Sequence, residues 1–405
     1  MKNIKSILKF IGLYNIFVII FDNINLFFCF LKCALKVTSL PKSCQRFLFF
    51  PHYSTGGAQQ VHIDILKAIK SLNPVVFITS DSNNSHFRDD FYKYSKCFEI
   101  LPFVKKKLYK KILSYVIIKT INSRKNAYTL GGNSLFYYQL LPKIKSKRVK
   151  RMDLLHAFTD KNEPGAEKWS LPVVPYLDKR VVISAHLKNL LVNQYRNNGL
   201  AGAEEQKIEI IYNKTNNPKD ISAKTFDNKL NIIYLGRNSK EKRVPLILKI
   251  AEKLQYINNF NFSFAGFEKN EIDLKYHKLN NCKFLGVIID SEKMNELLLK
   301  AHILLLVSKS EGLPLVISEA LSSGVINIST NVGAIPELIT DGQNGYLFDS
   351  NLSNEELVDL ITNKIMDLNK DRETLKRLSN NCLQYSNEQY LKSDFEKKYN
   401  TLLKI

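Results

Sequence analysis

Ile303-Leu304-Leu305-Leu306-Val307-Ser308-Lys309-Ser310-Glu311-Gly312-Leu313-Pro314-Leu315-Val316-Ile317-Ser318-Glu319-Ala320-Leu321-Ser322-Ser323-Gly324 runs from an apolar strand through a short polar loop into a helix. Pro314 suits the first turn of a helix that would extend to about Ser323, with Gly324 at its end. Glu311 then falls in the loop and Glu319 in the second helical turn. The N–H groups of Leu315 and Val316 head the helix, where the backbone dipole favours an anion such as a phosphate. A carboxylate on either side of that spot is suited to accept hydrogen bonds from the hydroxyls of a sugar and a ribose.

Working outward, the same alternation recurs. Asn231-Ile232-Ile233-Tyr234-Leu235-Gly236 reads as a strand and Pro245 to Tyr256 as a helix. Further strands are expected at Asn261 to Ala265 and Lys283 to Leu285, with helices between them. Arg237 and Lys242, five residues apart in the loop after the first of these strands, can converge on one diphosphate and neutralise a leaving group. The competing reading is a solvated charged loop, and Lys240 and Arg243 are assigned to it. Gly266 and Gly286-Val287-Ile288 lie at strand ends, where α/β sheets contact nucleotide bases.

Upstream, Arg46 to Pro51 is a buried strand that ends in His52-Tyr53-Ser54-Thr55-Gly56-Gly57 and leads into a helix over Ala58 to Ile69. Strands at Pro74 to Thr79, Tyr128 to Leu130 and Arg180 to Ser184 follow. Strands alternating with helices predict parallel sheets covered by helices. Residues 214–229 are polar and aperiodic, which marks a linker, and 405 residues suit two α/β domains.

The formal net charge is +21, and residues 1–150 alone carry 25 basic and 6 acidic side chains. Such a field favours phosphate-rich partners: nucleic acid, an anionic membrane or an acidic acceptor. The basic residues lack interleaved aromatics on one face and no nucleic-acid motif is present, so nucleic acid is set aside. Cys29, Cys33, Cys44, Cys97, Cys282 and Cys382 show no paired metal-ligand spacing and read as reduced thiols of a cytosolic protein. The histidines show no ligand pattern either, and no Asp-x-Asp occurs, so no metal is expected.

Lys2, Lys5 and Lys9 precede an apolar run from Phe10 to Phe21, which Asp22, Asn23 and Asn25 interrupt before Leu26 to Leu31. A carboxylate at the centre of a spanning helix costs roughly 2.5–3.5 kcal/mol. No small-residue cleavage site follows, as a signal peptide requires. A helix lying in the membrane interface fits better, and a helix packed on the protein body is the alternative. From Lys105 to Lys119 a helical step places Leu108, Tyr109, Ile112, Tyr115 and Val116 on one side, and Lys106, Lys107, Lys110 and Lys111 on the other. Both an anionic-bilayer contact and an ordinary surface helix agree with that pattern.

Glu311-Gly312-Leu313-Pro314 followed by Glu319-Ala320 resembles the signature of the retaining family 4 glycosyltransferases, with Leu313 where that family usually has an aromatic residue. Gly333-Ala334-Ile335-Pro336-Glu337-Leu338-Ile339 and the stretch from Asp341 to Leu347 look like the same family, as does Gly236-Arg237 with Lys242. The resemblance is specific over about 230–350, loose over 46–213 and absent over 1–45. It implies a GT-B fold: two Rossmann-like α/β domains facing a central cleft. These would be an acceptor domain at 46–213 and a nucleotide-sugar domain at 230–382, with a helix at 383–405 crossing back to the first domain. It further implies that Glu311 faces the donor sugar, Glu319 the ribose, and Arg237 and Lys242 the diphosphate. Gly57 would bring a backbone amide to that diphosphate, and His156 would stand near the transferred sugar.

The expected activity is therefore transfer of a sugar from a nucleotide diphosphate donor to a glycan or lipid-linked acceptor, with retention and without a cofactor. Cell-surface polysaccharide synthesis at the inner face of the cytoplasmic membrane is the expected setting. Rival readings are a nucleotide-sugar epimerase or phosphorylase on the same scaffold, and an inactive membrane-associated partner protein.

Overall fold

The computed structural model describes the backbone of residues 14–159, 165–214, 216–226 and 229–404, with side chains from residue 22 onward. The readings placed on Lys2, Lys5, Lys9 and Phe10 to Phe21, and on Thr215 and Asn228 of the linker, lie outside the described residues or their side chains. By contact the chain divides into two units. One holds the residues up to Leu155, Thr159–Arg180 and the end from Tyr399; the other holds His156–Phe158 and Val181–Lys398.

A seven-stranded sheet has the order β3-β2-β1-β4-β5-β6-β7. Its strands are β1 (Arg46–Phe50), β2 (Val75–Ile78), β3 (Lys96–Glu99), β4 (Ala127–Gly132), β5 (Val149–Leu155), β6 (Lys179–Val182) and β7 (Ile208–Ile210), with β1 to β5 inside the first unit. The pairs β1–β2, β1–β4, β2–β3 and β4–β5 run parallel. A strand buried on both faces needs a continuous apolar run, and Phe47, Leu48, Phe49 and Phe50 supply it. Phe49 stacks on Phe77 at 5.0 Å and on Tyr137 at 5.1 Å. The helices of this unit used below are α1 (Tyr14–Thr38), α2 (Gly57–Ala68), α3 (Lys107–Asn122) and α4 (Leu135–Leu140).

In the second unit β8 (Leu230–Leu235), β9 (Phe260–Ala265), β10 (Cys282–Phe284), β11 (Ile303–Leu306), β12 (Ile326–Thr330) and β13 (Gly345–Phe348) form a sheet of order β10-β9-β8-β11-β12-β13. Every neighbouring pair is parallel. Helices α5 (Ala185–Asn197), α6 (Val244–Leu254), α7 (Ser291–Lys300), α8 (Leu315–Leu321), α9 (Asn354–Lys370) and α10 (Arg372–Leu391) belong to it, and α11 (Phe395–Leu403) leads out of it.

Three local expectations change. Helix α8 is shorter than its sequence pattern, with Pro314 as N-cap rather than inside the first turn. Val325 N donates to Ala320 O at 2.9 Å and Gly324 N to Leu321 O at 3.1 Å, with Gly324 at φ 62°. This paired closure ends the helix on a left-handed glycine. The basic helix begins at Lys107, after a separate turn over Leu101–Val104, because Lys106 is extended there. Finally, the C-terminal segment is two helices, α10 and α11. They are separated at Lys392-Ser393-Asp394, polar residues that compete with the helical backbone. The end of α11 docks within the first unit, where Arg46 Nε donates to Leu403 O at 2.9 Å and Asn400 Nδ2 to Ala68 O at 3.1 Å.

Candidate functional site

The strand order of the second sheet reverses direction between β8 and β11, the place where open α/β sheets bind ligands beyond their strand ends. The loops after these two strands carry Arg237 and Lys242, and Ser308 and Glu311, respectively. Arg243 ties them together. It sits in the left-handed region at φ 51°, and its guanidinium donates to Val307 O at 2.6 Å and Ser308 O at 3.3 Å. Lys309 N adds a bond to Glu241 O at 2.7 Å.

Held by that seam, Lys242 Nζ lies 2.6 Å from Glu311 Oε1, and Ser308 Oγ donates to the same oxygen at 2.5 Å. The Glu311 side chain is only 8% exposed and Lys242 18%. A carboxylate so withdrawn from water requires such charged and hydroxyl donors. Arg237 is different. Its side chain is 77% exposed, its guanidinium is 4.0 Å from Glu241, and Tyr234 fixes its backbone by donating to Arg237 O at 2.7 Å. The arginine is therefore anchored at its root and exposed to solvent at its tip.

The rim is knitted by glycines. Gly236 N donates to Ala265 O at 2.9 Å and Gly266 N to Gly286 O at 2.8 Å, linking the ends of β8, β9 and β10. A Cβ on Gly266 would stand 2.4 Å from Gly236 O, so this approach admits no side chain. Gly286 itself adopts φ 64°. On the other side, a Cβ on Gly333 would stand 1.9 Å from Glu311 O, and Ala334 N donates to Gly312 O at 3.0 Å. The loop after β12 thus lies directly on the backbone that bears Glu311.

Glu319 is half-buried on α8, with Leu315 and Val316 at the head of that helix. Ser322 and Ser323 hydroxyls donate to Glu319 O at 2.9 and 3.1 Å. Lys219, whose pKa burial lowers, is opposed in that shift by attraction to Glu319. His156 is buried, and desolvation pushes its pKa down to about 4, so the imidazole is neutral at physiological pH. Inside the second unit a cavity of about 230 Å³ is lined by Ala157, Phe158, Lys309, Glu311, Gly312 and Gly333. A Cβ on Gly312 would stand 2.5 Å from His156 O.

The structure thus brings Lys242, Glu311 and the backbone at His156 together. Arg237, Gly286, Glu319, Leu315 and Val316 lie on the same unit's strand-end loops and the helix that follows them. Gly57 is an exposed residue opening α2 in the first unit, after β1, where that sheet's order also reverses. Sequence reading missed Ser308, Lys219 and the packing role of Gly333. Ser308 and Gly333 were within quoted motifs, but their contacts with Glu311 arise only on folding. Among the described residues no group of three or more His, Cys, Asp or Glu side chains is placed to hold a metal ion.

Residues 216–384 match the family model described as Glycosyl transferases group 1. An uncharacterized 41.2 kDa protein in the cps region of Klebsiella pneumoniae is 24% identical over 282 residues, 66% of this chain and 73% of that protein. An uncharacterized glycosyltransferase of Methanocaldococcus jannaschii is 25% identical over 213 residues, 52% of this chain and 54% of that protein. Among solved structures, Anabaena HepE in complex with UDP superposes with a TM-score of 0.68 at 16% identity, covering 88% of this chain and 99% of HepE. With two parallel-sheet α/β units, the chain has the GT-B fold and carries a glycosyl transferases group 1 domain over residues 216–384.

Proposed function

We propose that the chain is a retaining family 4 enzyme that moves a sugar from a nucleoside diphosphate donor to a glycan or lipid-linked acceptor. The carrying observation is the Lys242–Glu311–Ser308 cluster at the reversal point of the second sheet. Lys242 and Arg237 would neutralise the diphosphate, Glu311 would accept from hydroxyls of the donor sugar, and Glu319 from the ribose. The backbone amides of Gly57, Leu315 and Val316 would add donors to the phosphates, and the backbone at Gly286 would meet the base. A UDP-sugar is the first donor to test, because HepE was solved with UDP. A part in cell-surface polysaccharide synthesis draws support from the cps-region relative.

In this reading the acceptor hydroxyl attacks the anomeric carbon on the face from which the diphosphate departs. The bond from that carbon to the phosphate oxygen breaks, and this oxygen takes the hydroxyl proton. Neutral His156 fits a partner for a sugar hydroxyl and not a cation on the phosphate. Because side chains supply the counter-charge, activity is expected to survive EDTA. The basic N-terminal part supports a setting at an anionic membrane surface, on the inner face of the cytoplasmic membrane. Among the described residues no helix is long and apolar enough to cross a membrane.

A thermal-shift screen against UDP-, GDP-, ADP- and CMP-sugars tests the donor site, with Glu319→Ala as control. Saturating donor at about 100 times its Kd stabilises a protein by about 2.7 kcal/mol, which is readable as a shift in Tm. If no nucleotide sugar stabilises the wild type, the reading fails.

A further inference from the structure

We propose that α1 and α3 form one docking face for an anionic lipid bilayer, with a phosphate-bearing headgroup seated among Lys107, Lys110, Lys111 and Lys143. This extends the membrane part of the reading above and is independent of turnover.

Helix α1 is apolar on two sides. On one, Phe30 and Val37 are buried, and Phe30 stacks on Tyr109 of α3 at 4.6 Å and meets Phe103 edge-on at 5.6 Å. That contact already ties α1 to its own unit. A second stripe, Ile24, Phe27, Phe28, Leu31 and Leu35, recurs at helical spacing and points to solvent, with exposures from 38% to 67%. Lys32 and Lys36 flank it, and part of the stripe lines an open groove of about 610 Å³ with them.

Helix α3 shows the same division. Leu113, Ile117, Thr120 and Ile121 are buried, while Leu108, Ile112 and Tyr115 are exposed on another arc. Beside that arc Lys107, Lys110 and Lys111 share a groove of about 460 Å³ with Lys143, Gln139 and Tyr115. None of the four lysines forms an ion pair among the described residues, whereas nearby Lys105 pairs with Asp81 at 2.8 Å.

An ordinary solvated lysine face does not need a row of exposed phenylalanines and leucines on the helix packed against its own, and such an exposed apolar stripe marks an interaction surface. A second copy of the chain would bring two strongly basic surfaces together and be repelled. A bilayer offers both halves at once: acyl chains for the stripe and phosphates for the groove.

The test is co-sedimentation of the full chain with vesicles of phosphatidylcholine alone, and with phosphatidylglycerol added. Wild type is expected to pellet with the anionic vesicles at least about tenfold more strongly. Lys107→Glu, Lys110→Glu, Lys111→Glu and Lys143→Glu combined should remove that preference. Phe27→Ser, Phe28→Ser and Leu31→Ser combined should weaken binding about tenfold and leave a residue that salt abolishes. Lys370→Glu with Lys376→Glu, on the second unit, should change nothing. Lys110 is half-buried and the other substituted side chains are exposed, and unaltered circular dichroism melts confirm that the variants fold.

Wild type that ignores anionic vesicles overturns the proposal, as do both first-unit variants binding like wild type. A concentration-dependent dimer that the serine variant abolishes while vesicle binding persists would assign the stripe to a second copy and overturn it too. Donor stabilisation is read separately, so failure of this face and failure of the donor site cannot be confused.

Discussion

Lys242 and Glu311 each hold the other's charge at 2.6 Å, so neither substitution is local. Lys242→Ala leaves the nearly buried Glu311 carboxylate with the Ser308 hydroxyl as donor. It should cost roughly 1–3 kcal/mol in urea denaturation and about 10²–10³ in turnover. Arg237→Ala removes an exposed side chain and should leave stability within about 0.5 kcal/mol, while lowering the initial rate on a similar scale. Equal loss of stability in the two variants would contradict the difference in burial. His156 supplies a pH signature. Its folded pKa, about 4, lies below the value of 6.5 for an unburied histidine. Between those values the unfolded chain binds the extra proton, so stability should fall as pH drops from about 6.5 to 4, by an amount of order 3 kcal/mol. His156→Gln should flatten that slope in pH-dependent melts. Arg237, Lys242, Glu311 and Glu319 were nameable from sequence because the motifs that carry them resemble those of the family 4 glycosyltransferases, at the ends of readable strands and a helix. Ser308 was not, because a serine beside a strand is common, and only the fold turns its hydroxyl onto Glu311.

At the scale of elements, the loop after β12 is held tightly against the backbone that bears Glu311. Gly333 combines φ 58° with a Cβ position 1.9 Å from Glu311 O. Gly342 has φ 72° with nothing within 4 Å. Gly342→Ala should therefore cost about 1 kcal/mol of backbone strain alone. Gly333→Ala must also displace backbone, and should lower both Tm and donor-induced stabilisation well beyond that. Matching melts for the two variants would refute the contact. The long apolar runs at β1, β8 and β11 were legible, as was α6 with its buried Ile247, Ile250, Ala251 and Leu254. Strand β12 was not. Its Asn327 and Ser329 alternate with Ile326 and Ile328 but are themselves fully buried, with Asn327 Nδ2 donating to Val325 O at 3.1 Å. Polar residues at every second position disguise a central strand. Edge strand β3 has one buried residue, Phe98, and too little pattern to read.

For the whole molecule, the excess charge in residues 1–150 was visible from counting, and the helix it would bring to a membrane surface was identified as amphipathic. Which apolar residues face inward was not. Sequence placed Leu108, Ile112 and Tyr115 on one side with Tyr109 and Val116, yet the first three are exposed and Tyr109 packs on Phe30. A 16-residue helix touching two neighbours has more than one apolar arc, and periodicity alone does not rank them. The charge predicts a salt response. Raising salt from about 0.1 to 1 M shortens the screening length from about 10 to 3 Å. Vesicle binding by the wild type should drop steeply and then level off at the part carried by the apolar stripe, whereas a fall to zero would exclude that stripe. Phe27, Phe28, Leu31 and Leu35 have one more consequence if they sit in acyl chains. An enzyme held in this way searches for a lipid-borne acceptor in two dimensions. Its rate then follows acceptors per unit area, so adding bare lipid to the vesicles slows it, while diluting the same vesicles in buffer leaves the rate per bound enzyme unchanged.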